Sequence, residues 1–93
     1  MQPMAETALS IDKKPTRDGL LAMFRKTASE VVERDFSHVQ ESSVISELTI
    51  DSLGLLEIIG SMERQLRIQI PDEALSGLHT LSDLLDVVQK RCA

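Results

Sequence analysis

The chain has 93 residues and a net charge of −5, with no Trp or Tyr, two Phe and one Cys. That length allows one domain with a modest core and excludes a deep catalytic cleft, because so small a domain buries only about 60–65% of its unfolded surface. With Phe24 and Phe36 as the only aromatics, the core must be aliphatic, and the helix-like spacing of its apolar residues argues for a compact helical protein.

The single cysteine, Cys92, admits no internal disulfide and no set of zinc ligands, which fits a reducing cytoplasm. It is expected to be an exposed thiol, able to join two chains in air. The first residues hold no apolar run suited to a signal peptide, and no stretch approaches the roughly 20 apolar residues of a membrane span. The charge is localised. Residues 41–73 carry seven acids and two bases, Arg64 and Arg67, while the rest of the chain balances. Such a face repels nucleic-acid phosphates and suits partners with Arg or Lys patches, although it also serves a merely solvated surface. A monomer with no nucleic-acid or membrane partner is expected.

Residues 1–15 mix small, polar and charged types without a period and read as a flexible tail. A domain over 16–93 follows. Thr16 can cap a first helix to about Arg34, with Leu20, Phe24, Ala28, Val31 and Val32 facing inward. Phe36 to Ile50 lacks a period and reads as a long connection pinned by Phe36, Val39, Val44, Ile45, Leu48 and Ile50, with a short turn near 43–48.

A second helix runs from Asp51 to about Leu66. At about 100° per residue, Leu55, Ile59, Met62 and Leu66 form a core stripe, with Ile58 alongside. Leu53, Leu56 and Gly60 form another stripe, centred roughly 130° away. A bundle helix needs one apolar face, so the second must meet a ligand or partner. Ile68 and Ile70 then alternate with polar residues in a connection, and Pro71-Asp72-Glu73 opens a short helix that ends by Gly77. Thr80 with Asp83 resembles a capping box for a last helix whose Leu81, Leu84, Leu85 and Val88 face inward. The expected fold is all-α, a four-helix bundle of three main helices, one short third helix and a long first loop.

The chemistry centres on Thr49-Ile50-Asp51-Ser52-Leu53. Asp51 is a good N-cap, which puts the Ser52 hydroxyl near unpaired backbone N–H groups and the positive end of the helix dipole. A phosphate ester formed there has its charge partly stabilised by that end. An Asp-Ser helix start by itself commonly carries no covalent chemistry. His38 and His79 lack spaced partners and read as surface or loop residues.

Taken with Glu57-Ile58, the run Ile68-Gln69-Ile70-Pro71-Asp72-Glu73 and Thr80 opening a last helix, Asp51-Ser52-Leu53 resembles the acyl carrier proteins. The resemblance covers about Thr16 to Arg91. It implies that Ser52, flanked by Asp51, accepts 4'-phosphopantetheine from a phosphopantetheinyl transferase. That enzyme supplies magnesium and the base, so Ser52 needs no activating neighbour. The thiol of the arm then holds cargo as a thioester, and the chain itself catalyses nothing. Leu53, Leu56 and Gly60 are expected to dock acyl-loading, acyl-transfer or condensing enzymes, with Asp51, Glu57, Asp72 and Glu73 steering their cationic groups.

Three positions depart from the family pattern. Ile50 stands where a small residue is common, Gly54 where fatty-acid carriers are often acidic, and Gly60 where a bulkier apolar residue is usual. The first two tilt the expectation toward polyketide or related secondary metabolism. The alternatives are a carrier of aminoacyl or peptidyl groups, and a non-covalent helical adaptor using the Leu53/Leu56 stripe.

Overall fold

The computed structural model describes residues 15–92. Helix α1 spans Arg17–Val32, α2 Ser52–Leu66, α3 Asp72–Leu75 and α4 Leu81–Arg91, with a 3₁₀ turn at Ile45–Leu48 between α1 and α2. The expected all-α bundle forms, with its short third helix and long first loop. The tail expected over 1–15 lies, apart from Pro15, outside the described residues.

Local signals set the helix boundaries. Thr16 Oγ1 accepts the Gly19 N–H at 3.0 Å and starts α1. Thr80 and Asp83 form a reciprocal capping box at the start of α4, and Asp83 Oδ2 accepts the N–H groups of both His79 and Thr80 at 3.0 Å. Two α-helices and the 3₁₀ turn end in left-handed residues, Glu33, Arg67 and Thr49, with φ of 61°, 57° and 55°. Glycine is the usual residue there, and an L side chain in that region costs on the order of 1 kcal/mol.

The core joins Leu20, Phe24 and Ala28 of α1 to Ile58, Ile59 and Met62 of α2 and Leu81, Leu84, Leu85 and Val88 of α4. Both phenylalanines are buried in it, one from α1 and one from the loop. Of the expected loop anchors, Phe36, Val39, Ile45 and Leu48 are buried, while Val44 and Ile50 are half-buried. Backbone bonds tie this loop to the start of α4: Ile45 N–H to His79 O, Leu81 N–H to Ser43 O and Ser82 N–H to Glu41 O, at 2.8–2.9 Å. Arg17 adds a polar hub. Its guanidinium donates to Glu41, Asp86, Gln89 and Ser82, joining the start of α1 to the loop and to α4.

Leu55 and Leu66 of α2 and Val31 and Val32 of α1 pack against this core as expected while staying half-buried, the two valines bordering a surface groove. One expectation needs correction. Cys92 is buried at 6% exposure, not an exposed thiol. It follows Val88 by four residues and so continues the inward face of α4, packing into the same core.

The capping box makes stability sensitive to acid. Hydrogen bonds from the backbone N–H groups of Thr80 and His79 hold the Asp83 carboxyl below the usual carboxylate range. A folded-state pKa below the unfolded one gives stabilisation that is complete above the ordinary range and fades as pH falls through the depressed value. Asp83→Asn should therefore lower the urea midpoint at neutral pH and lessen the loss of stability between neutral and acidic pH. Parallel midpoint-versus-pH curves for the two proteins would contradict this assignment.

Candidate functional site at the start of α2

The loop delivers α2 to the surface end first. Arg34 donates to the carbonyls of Leu48, at 2.8 Å, and Thr49, fixing the backbone just ahead of the helix. Arg25 does the same further back, with Nε donating to Val39 O at 2.8 Å. Asp51 then caps the helix: its φ and ψ are −75° and 171°, and Oδ1 accepts the Gly54 N–H at 2.7 Å. Ser52 is the first helical residue and is exposed. Its hydroxyl makes no hydrogen bond to another described residue, so it stands open to solvent above the unpaired N–H groups of the first turn.

Around it the expected second stripe is present. Leu53 is 67% and Leu56 54% exposed, the two large hydrophobic residues most open to solvent among the described residues. Glu57 is exposed beside them, and Gly60 is half-buried further along the same face. Asp72 and Glu73 are exposed on α3, and no hydrogen bond or ion pair links them to the start of α2. His38 stacks against Phe36, and His79 contributes backbone groups to the α4 cap; neither reaches Ser52. No group of three or more potential metal ligands exists among the described residues.

Beside Ser52 a groove of about 300 Å³ separates the end of α1 from the start of α2, lined by Val31, Val32, Ile50, Leu53, Gly54 and the acids Asp51 and Glu57. Its shape links two of the unusual residues. A β-carbon on Gly54 would stand 3.0 Å from Asp51 Oδ1 and 3.2 Å from Ile50 Cγ2, tighter than ordinary contact. Ile50 occupies space that a side chain at 54 needs, and Gly54 gives it room. Gly60 differs: a β-carbon there would meet only Arg64 Nη1, at 3.7 Å.

Comparison with known proteins fits this geometry. The family model described as a phosphopantetheine attachment site matches residues 23–88. The chain belongs to the acyl carrier protein family. It is 36% identical over 76 residues to a meromycolate extension acyl carrier protein of Mycolicibacterium smegmatis, covering 81% of this chain and 77% of that one. An acyl carrier protein of Rhodococcus erythropolis is 33% identical over 76 residues, covering 81% and 84%. The crystal structure of an acyl carrier protein from Thermotoga maritima superposes with a TM-score of 0.75 at 32% identity, over 81% of this chain and 88% of that one. The prosthetic group is 4'-phosphopantetheine, and the protein is a carrier and not a catalyst. The carrier's exposed serine, capped helix start and adjoining groove suit such a group.

Sequence reasoning placed the serine, the cap and the apolar stripe. It missed Arg34 and Arg25, whose loop contacts span many residues and leave no local pattern.

The two glycines of this carrier should respond unequally to alanine. Gly60→Ala should raise stability by about 1 kcal/mol, because it removes unfolded-state freedom and meets only a flexible side chain. Gly54→Ala should gain less, since its β-carbon stands against Asp51 Oδ1 as well as Ile50 Cγ2, and an Ile50→Ala background should recover only the part due to the isoleucine. A double-mutant cycle of urea midpoints measures the coupling, and equal gains in both backgrounds would sever the proposed link.

Proposed function

We propose that Ser52 carries the 4'-phosphopantetheine arm and that the chain holds acyl intermediates as thioesters for successive enzymes. The observation that carries this reading is the open Ser52 hydroxyl at a capped helix start, next to exposed Leu53 and Leu56. The first turn of α2 faces the ester with backbone N–H groups and the positive end of its dipole, which favours the added negative charge. When bound, the arm supplies a thiol that forms the thioester. The transferase supplies the base, consistent with a serine that has no hydrogen-bonded neighbour to activate it.

The Leu53/Leu56 stripe supplies the contact with the transferase and with acyl-loading, acyl-transfer or condensing enzymes. Asp51 and Glu57 orient those partners, as do Asp72 and Glu73 on α3. Each such rim charge contributes less than about 1 kcal/mol to affinity, which keeps exchange between enzymes fast. The single cysteine of the composition supports a reducing cytoplasm as the compartment, and no described helix is long and apolar enough to cross a membrane.

On the cargo, the polyketide reading drew on Ile50 and Gly54. The crowding of position 54 by Asp51 and Ile50 supplies a local reason for that glycine and lessens that argument's weight. Relatives named as meromycolate extension carriers support acyl-chain extension instead. We take a growing acyl chain as the cargo.

Incubation with coenzyme A, magnesium and a broad-specificity transferase, followed by intact mass, tests the attachment site. The wild-type chain and Cys92→Ala should gain one phosphopantetheine, and Ser52→Ala none; an unmodified wild type supports the adaptor reading. Leu56→Glu should keep the helical circular dichroism and melting transition while impairing acyl transfer at least about tenfold, in the range of a lost interface anchor. Unfolding of that variant would place Leu56 in the core.

A further inference from the structure

The charge on α2 is not uniform. Its outward face runs through Leu53, Leu56, Glu57, Gly60 and Arg64, positions that fall within about 100° of one another around the axis, and Arg67 follows as the C-cap. Glu57 and the capping Asp51 stand at the Ser52 end of this face, and both arginines stand at the other. Glu57 and Arg67 are separated by about 15 Å along the helix, and Asp51 and Arg67 by about 24 Å. Both separations exceed the screening length of about 8 Å at physiological salt. A partner therefore meets two distinct poles.

Both arginines are exposed, and neither side chain makes an ion pair or hydrogen bond with another described residue. The adjacent acid Glu63 is half-buried and accepts the Ile70 N–H with Oε2 at 2.7 Å, so its charge offsets only one of the two arginines. Arg64 Nη1 lies 3.7 Å from where a Gly60 β-carbon would stand, so its guanidinium folds over the dip left by that glycine, in line with the Leu56 stripe. Arg67 occupies a left-handed helix end with φ of 57°, where glycine is the less costly residue. Gly60, Glu63, Arg64, Arg67, Ile68 and Gln69 border one shallow depression, in which the two arginines outnumber the single acid. Cations near a helix C-terminus also complement its dipole, but that effect does not call for a guanidinium seated over Gly60 on the apolar stripe.

We infer that this end of α2 is a second docking point, one that takes carboxylates of a partner protein. The enzyme it fits is a condensing or acyl-transferring enzyme that presents Arg or Lys to Asp51 and Glu57, and Asp or Glu to Arg64 and Arg67. The inference rests on the carrier reading above. Two opposed poles set direction, since one orientation pairs unlike charges at both ends and the reverse pairs like charges at both. They also set selectivity, because a groove basic along its whole length is repelled at Arg64 and Arg67.

The test uses a purified condensing enzyme that turns over this carrier, with carrier loaded by the transferase and loading verified by mass. Arg64→Glu/Arg67→Glu should raise the KM for the carrier about tenfold with kcat unchanged, the size expected for two reversed rim charges. The milder Arg64→Gln/Arg67→Asn should raise it about threefold by the same reasoning. Circular dichroism melts establish that each variant is folded; if the doubly reversed one is not, the neutral one decides. Replacing the facing enzyme carboxylate with Arg should restore the KM of the reversed variant. An unchanged or lowered KM, or a loss confined to kcat, overturns the second docking point. A wild-type chain that accepts no arm defeats the carrier reading first, before any partner is added.

Discussion

The position of α2 depends on how residues 33–51 are held. This loop has no regular structure apart from one 3₁₀ turn and an isolated antiparallel bridge between Val44 and Thr80, yet it must present the first residue of α2 at a defined place. Phe36, Val39, Ile45 and Leu48 bury their side chains and act as pegs. Ordering each backbone residue costs about 1–2 kcal/mol, so the polar segments between the pegs need partners as well. They find them in Arg25, Arg34 and the backbone at the start of α4. A serine on a loop without these ties would sample many directions. Here the helix axis, the cap and the apolar stripe keep one arrangement relative to the bundle.

Much of the fold was legible because its signals are local. Thr16, Asp51 and the Thr80/Asp83 pair act within three residues, and each caps the helix that its position implied. The two stripes on α2 follow from one periodicity, and the outward one is exposed as its angular separation required. Periodicity fixes direction around a helix but not depth along it. That is why Leu55 and Leu66, well aligned with the core, remain half-buried at the ends of α2.

Long-range polar contacts were not legible. Arg17 meets Asp86 across 69 positions of sequence and Glu41 across 24, and nothing near Arg17 announces either partner. The hub matters beyond its ion pairs, because it closes the bundle where α1, the loop and α4 converge. Hydrogen bonds between the ions and Arg17 raise the guanidinium pKa further, with Asp86 the larger influence and Glu41 the next. Cys92 escaped for a different reason. A residue near a chain end is usually exposed, whereas α4 keeps its inward face through its last turn.

The glycines of α2 show why a departure from a family pattern is ambiguous until its surroundings are known. Gly54 looked like a lost acid, a change that speaks to the pathway. In the bundle it is also the partner of Ile50, since the isoleucine takes the space a side chain at 54 would use. The missing acid thus coincides with a position crowded by the capping Asp51 and by Ile50. Gly60 looked like a lost apolar side chain, yet no close contact demands glycine there, and a β-carbon would fit. It lies on the outer surface, where the Arg64 guanidinium runs alongside it. One glycine accommodates a neighbour inside the site, and the other reshapes the face a partner sees. The same substitution type thus separates into a crowded position at 54 and an open surface position at 60.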